Sequence, residues 1–484
     1  MKALMIVLGI SYICIFIYTS IRILTDTHST SKSLAYFILV LAFPVVGIII
    51  YFSIGINYRH LASTFKGKKV QEEMDAAFPA LVPDQTDLLI SSSPKRLRQY
   101  HRLITFLKQI GGENLSENHF QLLINGEQKF PEVLDTLANA QHFIHMEYYD
   151  WENDLRGNQI KEVLLRKVKT GVKVRVLYDD YASRKIKRNI VKELKEGGAE
   201  VYPKIRVKLR KIANRMNHRD HRKVIIVDGH FGFVGGINVS DRYDNSIDTG
   251  LYWRDTHVKI SGPLVYSLQR HFIVSWNSCG APEISPTGDL FPEFTSEPQK
   301  GIPALAQIIA GGPIYPMSNI MLTYFHLFTI AREKLYITNP YFIPNDSILD
   351  ALKESALSGV DVRIMLPEKS DSSLVGAASR FYFEELLEAG VKIFLYRKGF
   401  VHAKTVVADS FISVIGTANM DIRSFDLNFE IMSVIYGEEM GKQLEDVFLN
   451  DLKECVEVDM ESWRENTFSR RLIYAIARLI SSFL

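Results

Sequence analysis

Two short stretches of the sequence carry the same set of reactive side chains. NHRDHRKVIIVDGHFGFVGGIN occupies residues 217–238, and VHAKTVVADSFISVIGTAN occupies residues 401–419. Both contain a His-x-Lys pair, an aspartate and then an asparagine, each pair of matched residues lying 181 positions apart (402 − 221). The matched residues are His221, Lys223, Asp228 and Asn238 in the first copy and His402, Lys404, Asp409 and Asn419 in the second. The repetition indicates one shared function rather than two unrelated strand edges.

The side chains in the two copies suit chemistry at a phosphoryl centre. Residues two apart in a strand point the same way, so each histidine projects together with its lysine. If the copies face one another, two ammonium groups and the carboxamides of Asn238 and Asn419 form a cradle of donors for phosphoryl oxygens. Histidines on opposite sides of the phosphorus suit an in-line displacement, in which one attacks and the other protonates the leaving oxygen. The similarity of the copies leaves open which histidine is the nucleophile.

Each imidazole also needs a partner on its second ring nitrogen to fix its tautomer. Asp255 and Glu430 occupy comparable places downstream of the two motifs. The sequence predicts that Asp255 orients His221 and that Glu430 orients His402. The alternative interpretation is that both are ordinary carboxylates at strand ends.

The elements around the motifs are duplicated as well. The matched segments are TGVKVRVLYDD (170–180) with SGVDVRIMLPE (358–368), KEGGAEVY (195–202) with LEAGVKIF (387–394), and FIHMEYYDW (143–151) with LYITNPYFI (335–343). Apolar strands that alternate with helices are typical of an α/β fold with a buried sheet. We therefore predict two similar α/β/α lobes, residues 115–295 and 296–465, that meet at a pseudo-twofold active site.

The first copy carries a basic insertion just before its motif. The offset between the halves falls from 192 (390 − 198) to 181, which leaves 11 extra residues in the first half (192 − 181). Residues 202–223, which include this insertion, contain nine lysines or arginines against Asp220, a local charge of +8. A solvated loop is one interpretation. An anion-binding rim is favoured, because the segment leads directly into His221.

The N-terminal region contains two apolar stretches, residues 3–20 and 34–56, each long enough to cross a bilayer. They predict a transmembrane helical hairpin over residues 1–58, followed by a juxtamembrane linker region over residues 59–114. Basic residues after the second stretch place the rest of the chain in the cytoplasm by the positive-inside rule; they are Arg59, Lys66, Lys68 and Lys69. A cleaved signal peptide is the alternative for the first stretch.

The C-terminal segment, residues 466–484, predicts an amphipathic helix. Its apolar face comprises Leu472, Ile473, Ile476, Leu479, Ile480, Phe483 and Leu484, and Arg470, Arg471 and Arg478 lie outside that face. A basic helix at a membrane interface is favoured over a helix packed into the core.

The cysteine pattern argues against a metal centre. Cys14, Cys279 and Cys455 are far apart in the sequence and form no Cys-x-x-Cys pair. This usage suits a reducing compartment and predicts neither a zinc site nor a disulfide framework. The sequence also contains no glycine-rich phosphate loop. Both features are consistent with a protein that uses no metal and no cofactor.

The doubled His-x-Lys-(x4)-Asp-(x6)-Gly-x-x-Asn pattern resembles the phospholipase D superfamily, and the apolar stretches ahead of it resemble the bacterial cardiolipin synthases of that superfamily. The resemblance implies transfer of a phosphatidyl group between two phosphatidylglycerol molecules, with release of glycerol, through a phosphohistidine and without a metal. It favours His221 as nucleophile and His402 as acid. The expected catalytic residues are His221, Lys223, Asp228, His402, Lys404 and Asp409, and the expected substrate-binding residues are Asn238, Asn419, Asp255 and Glu430.

The resemblance also implies anionic phospholipids as partners, no nucleic acid, and a location in the bacterial plasma membrane with the lobes facing the cytoplasm. The oligomeric state stays open. Three alternatives are a phospholipase D-type hydrolase, a membrane-anchored nuclease of the same fold, and a non-catalytic scaffold for anionic lipids. The hydrolase differs only in passing the phosphatidyl group to water, whereas the scaffold leaves two complete motifs without a purpose.

Overall fold

The described strands fall into two sets, one after the other in the chain. Fifteen of them join to form one sheet, in which the two sets meet edge to edge. The computed structural model describes residues 2–26, 30–52, 66–205, 218–294 and 300–481. The first set comprises β1 (Ser116–Ile124), β2 (Phe143–Tyr148), β3 (Lys173–Tyr178), β4 (Glu200–Pro203), β5 (Lys223–Val227), β6 (Phe231–Gly235), β7 (Trp253–Arg254) and β8 (Thr256–Ser261). The second set comprises β9 (Ile302–Gly311), β10 (Lys334–Thr338), β11 (Phe342–Ile343), β12 (Asp361–Pro367), β13 (Lys392–Tyr396), β14 (Phe400–Val401), β15 (Thr405–Ala408), β16 (Ile412–Gly416), β17 (Met420–Asp421), β18 (Glu430–Tyr436) and β19 (Cys455–Glu457).

The strand order reveals the duplication. It runs β19-β13-β12-β10-β15-β16-β18-β9-β1-β8-β6-β5-β2-β3-β4, with β1 and β9 antiparallel at the centre. Outward from this junction, β8, β6, β5, β2, β3 and β4 match β18, β16, β15, β10, β12 and β13 in position. The two sets are therefore two copies of one α/β topology, which we call the first and second lobes. Four short strands lie outside this sheet, where β7 pairs with β14 and β11 with β17.

The helices complete the described part of the chain. Those before β9 are α1 (Lys2–Asp26), α2 (Thr30–Ala42), α3 (Pro44–Ile50), α4 (Lys66–Leu81), α5 (Thr86–Ser92), α6 (Lys95–Gln99), α7 (His101–Gly111), α8 (Asn125–Ala138), α9 (Leu155–Lys169), α10 (Ile190–Glu196) and α11 (Leu264–Ser278). Those after β9 are α12 (Asn319–Ile330), α13 (Asp346–Leu357), α14 (Ser373–Arg380), α15 (Phe383–Glu388), α16 (Ile422–Asp426), α17 (Glu438–Asp451), α18 (Met460–Arg464) and α19 (Phe468–Ser481).

The motif strands form the centre of each lobe. Every residue of β5 and of β15 is buried. Such strands carry continuous apolar runs because both faces of the sheet are covered. Each pairs antiparallel with two neighbours, β5 with β2 and β6, and β15 with β10 and β16. The sequence around the reactive side chains therefore folds into the buried interior of each lobe.

The region predicted as a juxtamembrane linker is helical where it is described. Helix α4 packs along α11 of the first lobe. The side chains of Val70, Met74 and Phe78 join the core of that packing. Helix α7 instead contributes Leu103 and Leu107 to the core of the second lobe. This region is thus part of the folded body and contacts both lobes.

The predicted transmembrane hairpin is not shown by the part of the N-terminal region that the structure describes. Among the described residues, no helix combines the length and apolarity required to cross a membrane. The second predicted stretch divides into α2 and α3, with Pro44 as the first residue of α3. A proline at that position is compatible with the start of a helix but not with its interior. Residues 53–65, which include the end of the second predicted stretch and Arg59, lie outside the described residues, as do 206–217, Phe483 and Leu484.

Candidate active site

The two motif histidines are attached to the opposite lobes through their backbones. The N–H of His221 donates to the carbonyl oxygen of Phe429 at 3.0 Å, and the N–H of His402 donates to the carbonyl oxygen of Arg254 at 2.7 Å. These bonds belong to two short parallel contacts between the lobes, the β7–β14 pair and the bridge between Asp220 and Phe429. Both histidines therefore lie where the lobes meet.

The carboxylates that orient the histidines are exchanged between the lobes. Nδ1 of His221 lies 3.0 Å from both carboxylate oxygens of Glu430, and Nδ1 of His402 lies 2.7 Å from Oδ2 of Asp255. The predicted pairing of His221 with Asp255 and of His402 with Glu430 is therefore wrong. The cause is the backbone contact between lobes, because each acid directly follows the residue whose carbonyl holds the opposite histidine.

The residue that follows β6 and the one that follows β16 lie against these acids. A Cβ atom on Gly236 would lie 2.1 Å from Oδ1 of Asp255, so a side chain there would displace the carboxylate. The second copy has Thr417 at the matching position, and its hydroxyl donates to Oε2 of Glu430 at 2.5 Å. The shorter acid thus faces a glycine, and the longer one is fixed by a hydroxyl.

The motif lysines and asparagines lie beside the histidines and are buried. Nζ of Lys223 donates to the carbonyl oxygen of His221 at 2.8 Å, and Nζ of Lys404 donates to that of His402. Nδ2 of Asn238 donates to the hydroxyl of Tyr243 at 2.7 Å, and the N–H of Asn419 donates to Oγ of Ser424 at 3.2 Å. An ammonium group has three N–H donors, so each lysine keeps donors beyond its bond to a carbonyl.

Burial controls the charges of these groups. It lowers the pKa of His221 to about 4 and that of His402 to about 3, against the opposing effect of the paired carboxylates. Burial likewise lowers the pKa of Lys223 to about 8 and that of Lys404 to about 7. Near pH 7 the imidazoles are consequently neutral and Lys404 is close to half protonated.

The orienting acids are ionised. Burial alone would raise the pKa of Asp255, but His402 and Lys404 lower it overall. The pKa of Glu430 is lowered in the same way by His221 and Lys223, which outweigh burial. An ionised carboxylate accepts a hydrogen bond from Nδ1–H, so Nε2 of each neutral imidazole carries the lone pair that can attack or exchange a proton.

The motif aspartates lie at the other ends of the motif strands. Asp228 accepts backbone N–H groups of residues 141–143 at 2.6–2.8 Å. Asp409 accepts those of residues 332–334 at 2.8–3.1 Å. Both have positive φ values, 53° and 52°, at the turns that lead to β6 and β16. The structure therefore does not bring Asp228 or Asp409 to the histidines, although the sequence predicted a catalytic role for both.

Aromatic rings that the sequence analysis missed surround the histidines. The ring of Tyr149 lies 4.8 Å from that of His221, and the rings of Tyr243 and Trp253 each lie 5.6 Å from that of His402. These rings cover part of each imidazole and help to keep water from it. Single aromatic residues in loops or in a strand of two residues carry no periodic signal, so the sequence offered no means to select them.

Two buried arginines of the first lobe hold the backbone of the orienting acids. Nε of Arg222 donates to the carbonyl oxygen of Glu430 at 3.4 Å, and Nη1 of Arg254 donates to that of Asp255 at 2.5 Å. Arg254 also pairs with Asp451 of the second lobe at 2.7 Å. The sequence offered one signal for these arginines: each stands next to a residue predicted to belong to the site, Arg222 beside His221 and Arg254 beside Asp255.

The predicted anion-binding rim is described only at its ends. Lys204 is buried, donates to Oγ of Ser278 at 3.0 Å, and lies 5.0 Å from the ring of Phe429. It therefore belongs to the interior rather than to an exposed rim. Residues 206–217, which hold most of the basic side chains, lie outside the described residues.

The donors gathered here suit an anion. Within the ranges that the structure describes, no group of three or more His, Cys, Asp or Glu residues is placed to hold a metal ion. Lysine and asparagine side chains instead present N–H groups, which bind phosphoryl oxygens. The structure thus brings two nucleophilic or basic imidazoles close to both motif lysines where the lobes meet.

Comparison with known families gives the decisive observation. The family described as "Cardiolipin synthase, PLD-like domain" matches residues 133–276 and 324–452, which contain both motifs. The chain belongs to this family. A second family, described as "Phospholipase_D-nuclease N-terminal", matches residues 14–55.

Individual relatives agree with the family. The chain is 37% identical to a cardiolipin synthase of Geobacillus sp. (strain WCH70) over 99% of this chain and 94% of that protein. It is also 37% identical to cardiolipin synthase 2 of Bacillus anthracis over 96% of this chain and 88% of that protein. Among solved structures, phosphatidylserine synthase of Haemophilus influenzae Rd KW20 is similar with a TM-score of 0.57 and 15% identity, covering 81% of this chain and 100% of that one. At 15% identity, the similarity to this solved structure is evidence for the fold alone.

Proposed function

We propose that the chain is a cardiolipin synthase, which transfers the phosphatidyl group of one phosphatidylglycerol to a second and releases glycerol. The observation that carries the proposal is the pair of buried histidines, each oriented by a carboxylate of the opposite lobe. Such a pair provides one group to attack phosphorus and one to move the proton.

In the first half-reaction, Nε2 of His221 attacks the phosphorus and the phosphorus–oxygen bond to glycerol breaks. His402 gives the leaving oxygen its proton, so that glycerol and a phosphatidyl-His221 intermediate result. The bound phosphodiester is an anion, and its charge raises the pKa of His402 so that this imidazole becomes protonated in the complex. Glu430 stabilises the positive charge that develops on His221 during the attack.

In the second half-reaction, a hydroxyl group of another phosphatidylglycerol takes the place of glycerol. His402, now neutral, removes the hydroxyl proton while the oxygen attacks the phosphorus of the intermediate. The bond to His221 breaks, and cardiolipin forms. One phosphodiester replaces another, so the exchange needs no nucleotide to drive it.

The donors of the cradle stabilise the phosphoryl oxygens in both steps. Lys223 and Lys404 supply ammonium groups, and Asn238 and Asn419 supply amide groups from the matching loops. In this proposal they perform the electrostatic role that a metal ion has in other phosphoryl transferases. Asp228 and Asp409 fix the loops at the far ends of the motif strands instead of touching the substrate.

We further propose that the protein works at the bacterial plasma membrane, with the lobes on the cytoplasmic side. Helices α1–α3 support this location because large apolar side chains on them are exposed. Examples are Ile6, Val7, Ile10, Ile13, Leu34, Leu41, Val45 and Ile49, each at least half exposed. Apolar surface of this extent in a helical segment is typical of contact with lipid.

The test is incubation of the purified chain with phosphatidylglycerol vesicles, with all lipid products and free glycerol measured. We expect cardiolipin and glycerol in equal amounts, with phosphatidic acid as a minor product. Phosphatidic acid as the main product would identify a hydrolase. Radiolabelled lipid provides a second readout, because His221→Ala should form no phosphoenzyme and His402→Ala should form it slowly.

A further inference from the structure

The C-terminal helix α19 packs against the second lobe in an unusual orientation. Its buried residues are the small ones, Ala477 and Ser481, and it lies along α14. The guanidinium of Arg478 lies 4.6 Å from the centre of the Phe381 ring. A helix on a soluble protein normally buries its large apolar side chains and exposes its polar face. Here the small and basic face is the one that packs.

The opposite face of α19 is exposed and apolar. Six large apolar side chains between 45% and 81% exposed lie on it: Phe468, Leu472, Ile473, Ile476, Leu479 and Ile480. With 100° between successive residues, they occupy one arc of roughly 140°. Contiguous apolar surface of this kind marks a contact site, whereas single exposed leucines do not.

The charges beside this face indicate what covers it. Helix α19 contains three arginines, Arg470, Arg471 and Arg478, and no acidic residue. An apolar face with arginines beside it is typical of a helix at the surface of an anionic bilayer. A second copy of the chain fits less well, because a twofold contact would bring the same arginines together.

The position of α19 relates it to the active site. Asp371, which lies two residues before α14, accepts a hydrogen bond from the hydroxyl of Tyr341 at 2.6 Å. The Tyr341 ring lies 6.4 Å from the Phe400 ring, which lies 6.0 Å from the ring of His402. A short series of contacts thus connects His402 with α14, the helix on which α19 packs.

We infer that α19 is a docking helix that seats the second lobe on an anionic phospholipid bilayer. Its apolar face enters the boundary between headgroups and acyl chains, and the exposed Arg470 contacts lipid phosphates, whereas Arg478 packs on Phe381 and Arg471 pairs with Glu384. Docking places the His402 side of the site at the bilayer surface, where the second phosphatidylglycerol enters. The inference rests on the proposed function for the identity of that lipid, but its binding test does not.

The first experiment measures insertion without activity. An environment-sensitive fluorophore is attached at Ile476→Cys in the full chain with Cys14, Cys279 and Cys455 replaced by alanine. We expect a blue shift on adding phosphatidylglycerol vesicles and a much smaller one with phosphatidylcholine vesicles. No shift with either vesicle overturns the inference. A shift that instead follows protein concentration without vesicles identifies a second copy as the occupant.

The second experiment compares cardiolipin synthesis from phosphatidylglycerol in bilayer vesicles with synthesis from the same lipid in mixed detergent micelles. The triple variant Leu472→Gln, Ile476→Gln, Leu479→Gln removes the apolar face while keeping residues that favour helix. The matched control changes three exposed leucines elsewhere, Leu88→Gln, Leu155→Gln and Leu357→Gln.

We expect the α19 variant to lose about tenfold or more of its cardiolipin synthesis on vesicles and less than about twofold in mixed micelles, a difference typical of reduced interfacial binding. The control should lose neither activity. Equal losses on both substrates, or none, contradict docking. Absence of synthesis by the unmodified chain on both substrates contradicts the proposed function instead.

Discussion

The exchange of acids between the lobes predicts a specific effect of Glu430→Gln. Glutamine keeps the size of the side chain and can still accept from Nδ1 of His221, but it carries no charge. An imidazolium at His221 and the Glu430 carboxylate have charge centres about 4 Å apart, and at an effective dielectric constant of about 20 their attraction is ~4 kcal/mol. Since each 1.36 kcal/mol of barrier is tenfold in rate, full loss would slow attack by about 10³-fold.

Because only part of this charge has developed in the transition state, we expect a decrease in kcat of about 10²- to 10³-fold. The assay has two parts, steady-state synthesis of cardiolipin on phosphatidylglycerol vesicles and rapid trapping of labelled phosphoenzyme. Glu430→Gln should slow formation of the phosphoenzyme itself, because Glu430 holds the proposed nucleophile. The thermal unfolding midpoint should change little, since the amide oxygen still accepts from Nδ1 of His221 and the Thr417 hydroxyl can donate to the carbonyl oxygen of Ile431 instead.

Asp255→Asn is the matched control, because Asp255 holds His402 through the equivalent bond. It should impair proton transfer to the leaving glycerol and from the incoming lipid hydroxyl. Loss of phosphoenzyme formation in Asp255→Asn with normal formation in Glu430→Gln would reverse the roles of the histidines. A decrease of less than about tenfold in both variants would refute the reasoning that these carboxylates contribute through their charge.

Three further predictions follow from the site. Raising the pH removes the charges of Lys404 and Lys223, whose pKa values burial lowers to about 7 and about 8, so kcat/KM for phosphatidylglycerol should fall between pH 7 and 9; a flat profile would contradict this. Activity should survive exhaustive chelation, because lysine and asparagine donors bind the phosphoryl oxygens; loss with EDTA that one divalent ion restores would contradict it. Asp228→Ala should lower the free energy of unfolding by about 2 kcal/mol with kcat little changed, because three backbone N–H groups lose their acceptor; a large drop in kcat at unchanged stability would assign Asp228 to catalysis.

The duplication was predictable because it consists of sequence patterns that are local to each half of the chain. The two copies of His-x-Lys and the strands around them repeat at a nearly constant offset, and the alternation of strand-like and helix-like segments indicates an α/β fold. The strand order confirms two copies of one topology. Residues that act within a single strand, such as His221 and Lys223, were therefore accessible from the sequence.

Contacts between the lobes were not predictable in the same way. A twofold arrangement is equally symmetric whether Asp255 faces His221 or His402, so the spacing of the residues contains no information about the choice. The choice depends on the short β7–β14 contact, and strands of two residues give no periodic signal. Trp253 contacts His402 across the same interface, and Tyr149 contacts His221 within the first lobe. The sequence also did not predict that α4 and α7 pack onto the lobes, because the region that contains them has a polar composition.

The exchange of orienting acids also constrains how such a chain could have arisen. A polypeptide with one copy of the motif would lack the acid that its histidine contacts here, so it could not complete either half of the site alone. Two identical copies associated about a twofold axis would complete both halves at once, because each would supply the acid for the other. Fusion of two such genes would then convert a concentration-dependent assembly into an intramolecular one. Only after that fusion could Gly236 and Thr417, or Asp255 and Glu430, diverge into unlike halves with separate tasks.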